Sequence, residues 1–243
     1  MSASVSGYGK TCYAVVFEER YDYARALALQ MKICDLKKRG FAPDVLLLLE
    51  HPPVITLGRN GTWHNLVAPE ETLRSRGVTR HHVDRGGDIT FHGPGQLVGY
   101  PLLKLDRHEQ DVHRYMRNLE ETIIRVLEEY GIDAGREEKL TGVWTGSQKI
   151  CAMGVHISRW ITRHGFALNV NTDLSFYDLI VPCGLVGKQA TSMQTILKRE
   201  VGLREVAEKL TRHFGQVFGR GMIPILLSDL QNLLLGADAS RGS

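Results

Sequence analysis

Arg85-Gly86-Gly87-Asp88-Ile89-Thr90-Phe91-His92-Gly93-Pro94-Gly95-Gln96-Leu97-Val98-Gly99-Tyr100-Pro101 sets five glycines and two prolines around Thr90, His92 and Gln96. Glycines this dense let the backbone take positive φ and let a ligand lie against the main chain with no Cβ between them. A pair of tight turns joining strands would use glycine and proline in the same way. Such turns do not require Thr90, His92 and Gln96 at spacings of two and four residues. The stretch therefore reads as a binding wall that runs on into an apolar strand.

Outward from that wall, strands and helices alternate. Residues 13–18 and 45–50 read as strands, the second a continuous apolar run of the kind buried on both faces. Residues 54–57 form a short strand after His51-Pro52-Pro53. Residues 79–84 and 88–92 flank the glycine pair, and 96–105 return as a strand. Helical spacing of Ala26, Leu29, Ile33 and Leu36 predicts a helix over 22–38, closed by Gly40. A short helix follows at 69–76, with proline in its first turn. Asp111 caps the most regular helix, whose stripe is Val112, Met116, Leu119, Ile123, Val126, Leu127 and Tyr130. Residues 141–144 and 148–158 read as a hairpin about Gly146-Ser147. Residues 166–170 form a strand, 174–179 a turn of helix, and 203–218 a final amphipathic helix. Several consecutive strands lack intervening helices, which predicts an α+β fold with a mixed or antiparallel sheet and packed helices.

The whole chain, 1–243, reads as one domain, with 1–10 and 237–243 as flexible tails. Charged residues make up 23% and hydrophobic residues 43%, as in ordinary soluble proteins. The net charge of +3 argues against a dedicated nucleic-acid binder. No apolar run approaches a membrane span. The first residues carry no export or organelle signal, which points to the cytoplasm. The four cysteines lack CxxC spacing, which disfavours zinc and leaves free thiols, so no metal is expected.

Three side chains hold chemical interest. Cys183 sits between Pro182 and Gly184, where the chain turns and presents it, although a free cysteine is commonly just a small buried hydrophobe. Cys151 is its rival, two residues after Lys149 on a predicted strand and so on the same face. Lys149 opens an otherwise apolar run, where a cation would favour a nearby thiolate and burial would lower its own pKa. A lysine starting an edge strand and reaching water would look the same in sequence. On residues alone these alternatives stay open. Arg74, Arg76, Arg80, His81, His82 and Arg85 read either as a docking patch for an acidic partner or as a solvated basic face.

The stretch from Arg85 to Tyr100 resembles the signature of the lipoyl(octanoyl) transferases. The likeness continues through Lys149-Ile150-Cys151-Ala152-Met153-Gly154, His164-Gly165-Phe166-Ala167-Leu168-Asn169-Val170 and Pro182-Cys183-Gly184, in the family's order and spacing. It implies the fold of the biotin and lipoate protein ligases and transfer of octanoyl from octanoyl-acyl carrier protein to a lysine. The acceptors it implies are the lipoyl domains of 2-oxoacid dehydrogenase E2 subunits and the glycine cleavage H protein. It also implies an acyl-thioester on Cys183, with Lys149 depressing that thiol's pKa. Substrate contacts are expected from Arg85, Gly86, Gly87, Asp88, Ile89, Thr90, Phe91 and His92, from Ala152, Met153 and Gly154, and from Gly165, Phe166 and Ala167. Ile89, Phe91, Met153 and Phe166 are expected to wall an acyl tunnel. Burying six methylenes there at about 0.8 kcal/mol each would contribute up to roughly 5 kcal/mol. No cofactor is expected, because no phosphate-binding glycine motif is evident and the donor arrives activated. Cys151, Met153 and His156 depart from the family's usual residues.

Two rivals stand beside this reading. A lipoate or biotin ligase on the same fold would need ATP and would not need Cys183. A non-catalytic module binding acylated partners would form no adduct. A hydrolase is disfavoured by the lack of a GxSxG elbow.

Overall fold

Every residue of the strand Asp44–Leu49 is buried, and the molecule is assembled around it. Successive strand side chains point to opposite faces. Leu46 and Leu48 therefore enter one core, and Val45, Leu47 and Leu49 enter another. A strand covered on both sides has no polar face, so its sequence does not alternate. The computed structural model describes residues 10–181 and 189–239. Cys183, with Pro182 and Gly184, lies outside the described residues.

In chain order the elements are β1 (Lys10–Val16), α1 (Tyr23–Lys38), β2 (Asp44–Leu49), β3 (Val54–Leu57), α2 (Glu70–Ser75), β4 (Thr79–His82), β5 (Ile89–His92), β6 (Gln96–Leu102) and α3 (Val112–Glu128). There follow β7 (Gly135–Glu137), β8 (Leu140–Thr145), β9 (Gln148–Ser158), β10 (Ile161–Asn169), α4 (Met193–Leu197), α5 (Leu203–Phe218), β11 (Arg220–Pro224) and α6 (Leu227–Ala239). Eight strands form one sheet in the order β11-β1-β2-β6-β10-β9-β8-β7, and β4-β3-β5 form a second, smaller one. The first three strands of the large sheet run parallel, and the pairings from β2 onward are antiparallel. The fold is thus α+β with a mixed sheet, as expected. Helices α3 and α5 cover one face, where Leu119, Ile123, Val126 and Leu127 meet Leu210 and Phe214. Helices α1 and α6 cover the other, through Ala26, Ile33, Leu230 and Leu234. No helix among the described residues is long and apolar enough to cross a membrane.

Asp44 ties three elements together at the start of β2. Its carboxylate accepts from Lys37 Nζ at 3.0 Å, Arg220 Nε at 3.1 Å and the Lys104 amide at 2.8 Å. Buried charges of this kind persist only when paired and hydrogen-bonded. Arg220 opens β11, an edge strand the sequence reading did not find, and α6 extends to Ala239, beyond the tail boundary expected at 237. Strand β10 begins at Ile161, five residues before the expected start at 166. The reason is a two-residue hairpin turn in which Arg159 (φ 51°) and Trp160 (φ 59°) both take positive φ. Such turns ordinarily carry Asn-Gly or Asp-Gly, and neither residue here gives that signal. Val112, read into the buried stripe of α3, is exposed in its first turn.

Candidate active site

Between the two sheets lies a cavity of about 1020 Å³. Small residues create it. Ala152 stands opposite Ala167, and Gly154 opposite Gly165, across the β9–β10 ladder. On β6, Val98 continues the first of these rows. Alanine and glycine on one face of two neighbouring strands leave the volume that larger side chains would fill. The roof is β5 and the loop before it. Gly86 donates to the Val155 carbonyl at 2.9 Å, and a Cβ on Gly154 would lie 2.8 Å from Gly86 O. Roof and floor can approach this closely only because residue 154 has no side chain.

Of the residues expected at the site, Lys149, Arg85, Gly87, Asp88, Ile89, Thr90 and His92 line the cavity, as do Ala152, Met153, Gly154, Gly165, Phe166 and Ala167. Two do not. Gly86 anchors the roof through its amide, and the Phe91 ring points away, stacked on Phe176 with centroids 4.5 Å apart. Phe91 belongs to the core of the small sheet, because strand alternation gives the cavity its neighbours Thr90 and His92. Arg85 is a clamp. It is buried, and its guanidinium donates to Thr56 O at 2.8 Å, Thr56 Oγ1 at 2.9 Å and Gly86 O at 3.1 Å. It therefore drops out of the basic docking patch. Arg76 lies over the Phe176 ring and bonds Ser175 and Asp173, and Arg80 pairs with Glu70. Arg74 and His82 remain exposed.

Lys149 reaches the cavity because β9 bulges. Thr145 and Trp144 pair with Gln148 and Lys149, whereas Val143 pairs with Cys151, so Ile150 is an extra residue. One extra residue reverses the alternation. Cys151 therefore enters the core beneath α3 while Lys149 lines the cavity, and the expectation that they share a face does not hold. Burial pushes the Cys151 thiol well up, which removes it as a nucleophile. Gly142 makes room beside the bulge. It sits at φ +117°, where a Cβ would fall 2.5 Å from Cys151 O and 3.5 Å from Lys149 Cε. Lys149 Nζ stands 4.6 Å from the centroid of the Trp144 ring. Burial lowers its pKa from the ordinary lysine value. No carboxylate forms an ion pair with it among the described residues, so nothing of that kind offsets the desolvation.

Both main-chain polar groups of Lys149 are held by the segment 189–191. Its amide donates to Gln189 O at 2.9 Å, and its carbonyl accepts from the Thr191 amide at 3.0 Å. Gln189 and Val181, which bracket the segment that contains Cys183, both line the cavity.

Several polar residues share the site, among them His92 and Gln96, which the sequence marks, and Tyr23, Tyr100 and Tyr177, which it does not. His92 Nδ1 donates to Gln96 Oε1 at 2.9 Å, which leaves Nε2 as the bare ring nitrogen. Burial is the main cause that takes the His92 pKa down to about 3, helped by the charges of His51 and Arg85. His164, also on the cavity wall, is buried at φ 57° with Nε2 2.8 Å from Asp84 Oδ1. Burial lowers its pKa to about 4 against the opposing pull of Asp84. Asp84 is also bound by Arg163 and lies 3.3 Å from His156 Nδ1. Burial opposes its ionised form, but these partners win and hold its pKa down. Tyr23, Tyr100, Asn169 and Tyr177 also belong to the polar lining. The available signal was a polar residue inside an apolar run, Asn169 between Leu168 and Val170.

A deep cavity between two sheets, with a buried lysine held at one wall, places the molecule among α+β catalytic domains of the lipoate-ligase kind. Its backbone superposes on a putative lipoate protein ligase from T. acidophilum with bound lipoic acid, with a TM-score of 0.73, 16% identity and 95% of each chain covered. The lipoyl protein ligase A/B catalytic domain model matches residues 22–215, and the chain belongs to that family. It is 55% identical to the octanoyltransferase of Solibacter usitatus over 84% of this chain and 92% of that one. It is 51% identical to the octanoyltransferase of Koribacter versatilis over 88% and 86%.

Proposed function

We propose that the chain is an acyltransferase that moves an octanoyl group from octanoyl-acyl carrier protein to a lysine of lipoyl domains, working in the cytoplasm. The reading is carried by the 55% identity with an octanoyltransferase across 84% of the chain. In the first half-reaction the Cys183 thiolate attacks the thioester carbonyl. A new C–S bond forms to Cys183, the carrier's C–S bond breaks, and the carrier leaves as a thiol with the proton Cys183 gave up. In the second, the acceptor lysine attacks as the free amine, an amide forms, and Cys183 is released. Lys149 holds the proton in transit. An amine whose pKa burial has lowered gives up and regains a proton more readily near neutral pH than an ordinary lysine. Splitting the transfer lets two protein partners use one site in turn. The small-residue floor suits an alkyl chain.

The test is intact-protein mass spectrometry after incubation with octanoyl-acyl carrier protein and no nucleotide. A single octanoyl adduct should form on Cys183 and transfer to an added lipoyl domain. Cys183→Ser should form none, because a serine hydroxyl supplies no anion at neutral pH. Transfer that needs ATP, or that survives in Cys183→Ser at the normal rate, would reject the mechanism.

A further inference from the structure

A chain of side-chain amides runs along the cavity floor and ends on the backbone that grips Lys149. His92 Nδ1 donates to Gln96 Oε1 at 2.9 Å, and Gln96 Nε2 donates to Asn169 Oδ1 at 2.9 Å. The Tyr177 hydroxyl donates to the same oxygen at 3.2 Å. With two donors on Oδ1, the Asn169 amide has one orientation, and its Nδ2 donates to the Thr191 carbonyl at 3.0 Å. The amide of that same Thr191 donates to Lys149 O. Gln96 and Asn169 are buried, as is Thr191. Every amide in the run has its oxygen and nitrogen assigned by a partner. Buried polar groups in such a run are costly to leave unpaired, so the run resists movement as a unit.

The grip on Lys149 needs this brace. Lys149 sits at a bulge, where the ladder to β8 is interrupted and the strand is least constrained. Its remaining main-chain bonds go to the short segment 189–191. That segment meets β9 through a single bridge, Lys149 with Ala190. Among the side-chain hydrogen bonds of the described residues, the Asn169 amide is the one that reaches residues 189–191 from the central sheet. We propose that Asn169 is a positioning residue for Lys149, acting through Thr191 to fix the ammonium against the cavity. The inference rests on the reading of Lys149 as the proton-handling group. It adds that the lysine's placement is set from β10, across the floor, by a residue that takes no part in the chemistry.

Asn169→Asp is the sharpest variant, because it keeps the shape and both acceptor bonds while removing the donor to Thr191. Asn169→Ala removes the donor without adding charge and controls for the new carboxylate. With melting temperature recorded to confirm folding, both variants should lower kcat on the order of 10- to 100-fold. KM for the octanoyl donor should change less than kcat, because both ends of the Asn169 amide are already bonded within the protein although the residue borders the cavity. The pH profile of Cys183 alkylation should move upward, toward that of Lys149→Met. In a Lys149→Met background, Asn169→Asp should produce no further change, because a residue that acts through Lys149 has nothing left to position. A KM effect with kcat intact, or additive losses in the double variant, would overturn the inference. If Lys149→Met itself leaves the Cys183 profile in place, the fault lies with the parent reading of Lys149. If Lys149→Met moves the profile and neither Asn169 variant does, the positioning role alone fails.

Discussion

Lys149 is asked to do two things, and they separate by substitution. A fixed positive charge favours a nearby thiolate, whereas proton transfer needs an amine that can lose its proton. Arginine supplies the charge and a similar stem but stays protonated at any usable pH. Lys149→Arg should therefore keep Cys183 readily alkylated while octanoyl transfer falls on the order of 10²- to 10⁴-fold, the usual worth of a positioned acid or base. Peptide-resolved iodoacetamide labelling and steady-state transfer rates would be read on the same samples. Normal transfer in Lys149→Arg would reduce the lysine to a charge. The residue was visible in sequence because a cation opened an apolar run. The contacts that support it were not. Gln96 and Asn169 lie 73 positions apart and meet only because β6 and β10 pair in the sheet. No local pattern encodes that meeting.

At the scale of elements, the strands were legible where periodicity alone decides them and illegible where one residue breaks it. The apolar run of β2 and the glycine-rich wall before β6 fall where the sequence puts them. The bulge at Ile150 does not announce itself, and it decides which of Lys149 and Cys151 meets the cavity. The early start of β10 was hidden by a turn built from Arg159 and Trp160 instead of glycine. The floor makes its own prediction. Ala152 is half-buried and faces the cavity beside Ala167. Leucine there adds bulk where an acyl chain would lie, shortening the chain that fits. Losing contact with two methylenes at about 0.8 kcal/mol each lowers the preference for octanoyl over hexanoyl donors by roughly 15-fold. The ratio of kcat/KM for the two donors measures this. An unchanged ratio would mean the chain does not run over Ala152.

At the scale of the whole molecule, the two sheets meet around buried imidazoles. His51 Nε2 lies 2.7 Å from Tyr100 Oη and its Nδ1 2.6 Å from Tyr21 O, and its ring centroid is 5.9 Å from that of His92. Tyr23 of α1 packs against both rings. Burial is the leading cause that lowers the pKa of all three buried histidines, His51 to about 4, His92 to about 3 and His164 to about 4. In an unfolded chain each returns to about 6.5. Between pH 6.5 and about 4 the unfolded state thus binds more protons than the folded one, so stability rises with pH across that window. It is fully present above 6.5 and is lost as pH falls. The acidic groups held low, Asp84 and Glu109 among them, begin to contribute only near the ordinary carboxylate range and below. The upper part of the window, from 6.5 to 5, therefore belongs to the histidines. Each adds a slope approaching 1.4 kcal/mol per pH unit there, by linkage at one proton per site. Urea unfolding at intervals of half a pH unit should show a steep loss of stability below 6.5. His51→Gln, which removes one of the three titrating groups, should flatten the slope by about one proton. Stability flat from pH 7 to 5, or a His51→Gln slope matching the wild type, would show that these rings accept protons without opening the junction between the sheets.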